Sequence, residues 1–122
     1  MKFYWSMPSR ISVPFNRELK GFQTQLSKNN LHIAWHHLER AHILGQSWPM
    51  EHSQVHWLML KFGFRIKDPK EILGQLPRLL VGGIKSFVGK IPVGNTGGAN
   101  VPPLRSMVIP QDLKSILDTN KH

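Results

Sequence analysis

Cysteine is absent from this chain of 122 residues. Its absence excludes a disulfide framework, a cysteine-ligated zinc ribbon, an iron–sulfur cluster and catalysis by a thiol. Any metal ion would therefore have to be bound by histidine, carboxylate or methionine side chains.

Long apolar runs are missing as well. No stretch approaches the roughly 18 residues that a membrane helix needs, and residues 1–15 contain no continuous hydrophobic segment of the signal-peptide kind. We therefore expect a cytoplasmic protein without a membrane span.

Acidic residues are scarce, since seven Asp and Glu stand against sixteen Lys and Arg and leave a net charge of +9. Such a charge favours acidic partners, and the densest cationic stretch runs from Lys61 to Lys90. A generally positive solvated surface and a docking face for an acidic protein both remain open. The four tryptophans are spread along the chain and do not form a stacking platform. We therefore expect nucleic acid to bind only weakly and without sequence preference.

The spacing of apolar residues predicts helices over most of the chain and no strand, because no segment alternates with period two. Phe15, Leu19 and Phe22, for example, recur at steps of four and three. The predicted helices run from about Pro14 to Lys28, from Leu31 to Gly45, from Pro49 to Phe64 and from Pro69 onward.

Local signals refine these helices. Gly45 is expected to end the second helix in a left-handed conformation. Asp68 is the expected N-cap of the fourth helix, and Pro77 is expected to kink or break that helix near Gln75. Opposite the main apolar stripe of the third helix lie Trp57, Leu60 and Phe64, so that helix is expected to be covered on two faces.

The predicted fold class is all-α, a bundle or array of two antiparallel helical hairpins. A long Gly- and Pro-rich loop at residues 89–110 and a short last helix at about Gln111 to Leu117 complete it. Residues 1–13 are expected to be an N-terminal extension, and residues 14–122 a single helical domain.

Seven histidines are the most unusual feature of the composition, and six of them fall between His32 and His56. At about 100° per residue, His42 faces the apolar side of the second helix and Glu39 lies on the flank of that side. His52 and His56 are four residues apart on the third helix, a spacing at which two imidazoles can bind one metal ion. If the two helices form an antiparallel hairpin, the two pairs meet.

Glu39, His42, His52 and His56 are therefore the predicted metal ligands. Three imidazoles and a carboxylate suit Zn(II) best, with Cu(II), Ni(II) and Fe(II) as alternatives. A second interpretation is that these side chains hydrogen-bond one another as a polar seam in the core.

Two weaker features accompany this site. His32, His36 and His37 lie at the far end of the predicted hairpin and are candidates for a second, looser metal site. The Gly-rich segment around Gly94 is either a tight turn or an anion-binding loop, and its Asn95 and Thr96 could close over the histidines as a lid.

Three motifs resemble those of a small bacterial family of helical proteins of unknown function. They are His-Leu-Glu-Arg-Ala-His at residues 37–42, His-x-x-x-His at residues 52–56 and Gly-Asn-Thr-Gly-Gly at residues 94–98. The resemblance covers roughly Phe15 to Leu117. It implies a genomic setting beside heavy-metal efflux or resistance genes, and it implies no known activity.

The sequence thus predicts a transition-metal-binding protein with a His/Glu site between two helices, acting in metal homeostasis or sensing. The alternative is a metal-free helical adaptor that docks an acidic partner protein or nucleic acid. No separate nucleophile and no cofactor fingerprint is visible, so the only enzyme considered is a metal hydrolase with Glu39 as its base.

Overall fold

The structure is a computed structural model and describes residues 6–82, 96–99 and 107–118. Over these residues the chain forms five α-helices and no strand, which confirms the predicted all-α class. The helices are α1 (Ser9–Ser27), α2 (Leu31–Gly45), α3 (Pro49–Ile66), α4 (Pro69–Gly82) and α5 (Gln111–Asp118). Helices α1 and α2 pack as one antiparallel hairpin and α3 and α4 as the other, with α2 against α3. None of these helices combines the length and the hydropathy needed to cross a lipid bilayer.

Helix α1 begins at Ser9, earlier than the predicted start at Pro14. The carbonyl oxygen of Pro8 accepts hydrogen bonds from the backbone N–H groups of Ile11 and Ser12 at 2.9 Å each, and Ile11 is buried. Pro14 therefore lies inside the helix, where it removes one backbone donor near the N-terminus. Residues 9–13 of the predicted extension are part of the first helix.

Helix α2 has the predicted bounds, but the prediction for Gly45 is wrong. Gly45 keeps a negative φ, and Gln46 after it is right-handed helical, with φ −61° and ψ −31°. Glycine is needed for space instead, because a β-carbon at position 45 would lie 2.8 Å from Cε1 of Phe15. This close approach lets α1 pack against the end of α2.

Helix α4 begins as predicted, and of the kink or break predicted near Gln75 the break does not occur. Asp68 Oδ1 accepts the backbone N–H groups of Lys70 at 3.1 Å and Glu71 at 3.3 Å, which is the expected N-cap. The helix then continues without a break through Pro77. Its first half is held tightly to α3, since a β-carbon at Gly63 would lie 3.2 Å from Cγ1 of Ile72.

The hydrophobic core lies where α1, α2 and α3 meet, and α5 closes it with the buried Leu113. Helix α3 packs against both α2 and α4. Of the three residues on its predicted second face, Leu60 is buried, whereas Trp57 is 53% exposed and Phe64 is 60% exposed, so that face is covered only in part. Of the predicted loop at residues 89–110, residues 96–99 and 107–110 are described and are not helical; the remainder lies outside the described residues.

Candidate metal centre

Three histidines converge at the closed end of the α2–α3 hairpin. A short turn joins the two helices, and in it the backbone N–H of Trp48 donates to the carbonyl of Gly45 at 3.0 Å. This turn brings the last turn of α2, with His42, beside the first two turns of α3, with His52 and His56. All three side chains are buried, at 1% exposure each.

The Nε2 atoms of these histidines form a nearly equilateral triangle. The distances are 3.0 Å from His42 to His52, 3.1 Å from His42 to His56 and 3.0 Å from His52 to His56. Among the residues that the structure describes, this is the only group of three or more potential metal ligands whose ligand atoms all lie within 4.8 Å of one another. The predicted convergence of the three imidazoles is confirmed.

Protons alone cannot satisfy this triangle. Each Nε2 either carries a hydrogen or presents a lone pair. Because there are three nitrogens and only two states, at least two of them must face each other as two donors or as two acceptors. Such a pair at about 3 Å in a buried site is unfavourable. This argues against the interpretation of the cluster as a satisfied polar seam.

A single metal ion resolves the conflict, since three neutral imidazoles can direct their lone pairs at it. Nitrogen atoms 3.0–3.1 Å apart are close enough for all three to bind one ion through metal–nitrogen bonds of about 2.0–2.1 Å. His42, His52 and His56 would therefore hold the ion.

Glu39 is not part of this group, so its prediction as the fourth ligand is not supported. Its carboxylate lies 3.6 Å from Nδ1 of His36, on the flank of α2. The position three residues before His42 is displaced by about 60° around the helix, and this rotation points the side chain away from the α3 histidines. Burial raises the pKa of Glu39, against the opposing effect of His36.

The predicted second site is not assembled either. His36 is exposed and pairs with Glu39, whereas His37 Nδ1 lies 2.8 Å from Glu18 Oε1 on α1. His32 is also exposed. His32 and His36 both lie on the Glu39 side of α2, whereas His37 faces α1.

A residue of the Gly-rich loop, Gly97, packs against His42, and the lid role of Asn95 and Thr96 stays a prediction. A β-carbon at Gly97 would lie 2.5 Å from Cδ2 and 2.8 Å from Nε2 of His42. Thr96 beside it is half-buried, and Asn95 lies outside the described residues.

Two residues of α4 that the sequence did not single out belong to the site. Nδ1 of His56 lies 2.6 Å from Oε1 of Gln75, and Nε2 of Gln75 donates to the carbonyl of Gly97 at 2.8 Å. The Glu71 carboxylate accepts a hydrogen bond from the Gln75 amide nitrogen. It also accepts from the backbone N–H of Ala99, which lies 3.1 Å from Oε1 and 3.2 Å from Oε2. Their spacing of four residues puts both on one helix face, but only tertiary packing reveals what that face meets.

One comparison with known proteins gave a match. The model of a family described as "Protein of unknown function (DUF3703)" matches residues 9–117. No match was found among the curated proteins or among the solved structures.

Proposed function

The chain belongs to the DUF3703 family, whose function is unknown, and we propose from its own residues that it binds one transition-metal ion through His42, His52 and His56. The single observation that carries this proposal is the triangle of Nε2 atoms at 3.0–3.1 Å. Three buried nitrogens at this separation conflict as hydrogen-bond partners and agree as ligands of one cation.

The donor set suits Zn(II), Cu(II), Ni(II) and Fe(II), because neutral imidazole is a good ligand for all four, and Zn(II) is the first candidate to test. The protein acts in metal homeostasis or sensing, and its predicted location remains the cytoplasm. A buried, covered site is suited to retaining an ion, since exchange requires the covering loop to move.

A metal hydrolase is less well supported. That interpretation needs a base beside a metal-bound water, and the sequence offered Glu39 for this role. The Glu39 carboxylate contacts His36 instead, so no base has been identified for this reaction.

The test is metal analysis of protein purified without a histidine tag or chelator, followed by Zn(II) titration against a competing chromophoric chelator. We expect one ion per chain. Single substitutions H42A, H52A and H56A should each abolish tight binding. H32A, which changes an exposed histidine of α2, should not. Circular dichroism of the metal-free variants checks that they remain folded. Equal Zn(II) binding by the wild type and all four variants would assign the metal to the surface and reject the proposal.

A second candidate function is a metal-free adaptor for an acidic partner protein. One observation favours it, an exposed apolar stripe on α3. Met50 is 68% exposed, Trp57 is 53% exposed and Phe64 is 60% exposed. Because they follow one another at intervals of seven residues, they lie on one helix face. Lys61 on the same helix is also exposed. Absence of bound metal together with unchanged stability in Zn(II) would favour this function over the first.

A further inference from the structure

Gln75 lies between the histidine triangle and the loop that covers it. Its side chain is completely buried, and its one amide group bonds to two different parts of the site. The amide oxygen lies 2.6 Å from Nδ1 of His56, and the amide nitrogen donates to the carbonyl oxygen of Gly97 at 2.8 Å.

The partners of Gln75 determine the orientation of its amide. A backbone carbonyl can only accept a hydrogen bond, so the group facing Gly97 must be the amide nitrogen. Glu71, on the same side, also accepts from that nitrogen. The amide oxygen therefore faces His56, and an oxygen without hydrogen can only accept.

This orientation selects one tautomer of His56. Since Gln75 accepts, Nδ1 of His56 must donate and carry the hydrogen, which leaves Nε2 of the neutral ring with a lone pair. That lone pair points toward Nε2 of His42 and Nε2 of His52. His56 is thus prepared as a metal ligand before any ion arrives, and its orientation is held by a neighbour in the way common at metal sites.

The same amide holds the cover of the site. Gly97 packs against the His42 ring. Its loop is fastened to α4 by Gln75, through the Gly97 carbonyl, and by Glu71, through the Ala99 N–H. One side chain therefore contacts both a ligand and the segment that closes over the ligands.

We propose that Gln75 is a positioning residue of the metal site, which sets the tautomer of His56 and fastens the Gly97–Ala99 loop over His42. This inference rests on the proposed function. It assigns to α4, which contributes no ligand, control over how tightly the ion is bound and how fast it leaves.

Two substitutions separate the hydrogen bond that Gln75 accepts from His56 from the one that it donates to the Gly97 carbonyl. Q75M retains the length of the side chain and removes both the acceptor and the donors. Q75E retains an oxygen that accepts from His56 and supplies fewer donors than the amide, whether or not its carboxyl is protonated. Q54M, the same substitution at an exposed position of α3 between two of the ligands, is the matched control.

Zn(II) affinity and the rate of Zn(II) removal by excess EDTA are the first readouts. We expect Q75M to weaken Zn(II) binding about 10- to 100-fold, the usual effect of losing a group that orients a ligand. Q75E should bind more tightly than Q75M and still release Zn(II) faster than the wild type. Q54M should match the wild type in both measurements.

Long-range ¹H–¹⁵N correlation spectra of the imidazoles give a readout that a merely structural role would not change. In the metal-free wild type at pH 7.5 we expect His56 to carry its hydrogen at Nδ1. Q75E should keep this tautomer, whereas Q75M should show a mixture of the two tautomers. Two results would overturn the inference and leave the proposed function standing. One is a hydrogen at Nε2 of His56 in the wild type, and the other is a Zn(II) affinity of Q75M within twofold of the wild type. A wild type that binds no Zn(II) would reject both.

Discussion

The backbone of Gly97 lies directly against the imidazole ring of His42, so close that a β-carbon at position 97 would lie 2.5 Å from Cδ2 of the histidine. Gly97 also has a φ of +88°, a conformation that residues with a side chain rarely adopt. Space and backbone conformation independently require glycine at the point where the loop covers the proposed ligands.

Substitution of this glycine should therefore damage the site. We expect G97A to lower the melting temperature and to weaken Zn(II) binding at least tenfold, because the methyl group displaces either the loop or the buried His42 ring, and the backbone strain alone is about 1–3 kcal/mol. Thermal unfolding and chelator competition measure the two effects.

The control is G21A, the same substitution against another histidine. A β-carbon at Gly21 would lie 2.7 Å from Cε1 of His37, but the His37 side chain is 28% exposed and has room to turn away. G21A should bind Zn(II) as the wild type does. Wild-type affinity in G97A would show that the loop does not constrain His42.

Removing the charge of Glu71 should loosen the cover without touching a ligand. In the structure both carboxylate oxygens accept, from Ala99 N–H and from the Gln75 amide. In E71Q one of these acceptors becomes an NH₂ group, which must face a donor. We expect stopped-flow mixing with EDTA to show faster Zn(II) release from E71Q than from the wild type.

E39Q is the matched control for E71Q, and it also tests the fourth-ligand prediction. Glu39 contacts His36 and not the triangle, so Zn(II) affinity and release should be unchanged. Burial raises the pKa of Glu39, which means that its charged form is disfavoured by folding and destabilises the protein above that pKa. E39Q should therefore unfold at pH 7 no earlier than the wild type. A large loss of Zn(II) affinity would restore Glu39 as a ligand.

Stabilisation by Zn(II) should depend strongly on pH. An ion that binds only the folded state stabilises it by about 2.7 kcal/mol at a free concentration one hundred times its Kd. Imidazoles must be unprotonated to bind, and their ordinary pKa is about 6.5. Zn(II) should thus raise the melting temperature clearly at pH 7.5 and much less at pH 5. The double variant H42A/H56A should lose this difference, and equal shifts in both proteins would point to surface histidines.

The Arg40–Asp112 ion pair, which fastens α5 to α2, should give a separate dependence at low pH. The hydrogen bond from Arg40 lowers the pKa of Asp112 below its ordinary value of 3.8. A lowered folded-state pKa contributes stability above the unfolded value and loses it as the pH falls through the folded value. D112N should cause a small decrease in melting temperature at pH 7, because the Asp112 side chain is 60% exposed. The two proteins should converge as the pH falls through the lowered folded-state pKa of Asp112, and a constant difference would assign the effect to helix packing.

Much of the fold was predictable because helix formation here depends on local signals. The extent of α2 follows from its apolar stripe, although Gly45 does not end the helix in the predicted left-handed conformation, and the start of α4 follows from the Asp68-Pro69 pair. The start of α1 was missed because its N-cap residue is Pro8, whose side chain cannot accept a hydrogen bond from the first turn, so the sequence carries no side-chain capping signal there.

The proposed metal site also has a part that the sequence predicts and a part that it does not. Helical angle and hairpin geometry are regular, so they determine from the sequence alone that His42, His52 and His56 meet. The direction of a flanking side chain such as Glu39 depends on its rotamer and on its nearest neighbour, and here that neighbour is His36. Only the tertiary structure decides that Gln75, Glu71 and Gly97 complete the site. Their contacts join α4 and a distant loop to the α2–α3 hairpin, and hydrogen bonds across such separations in the chain follow from packing rather than from local pattern.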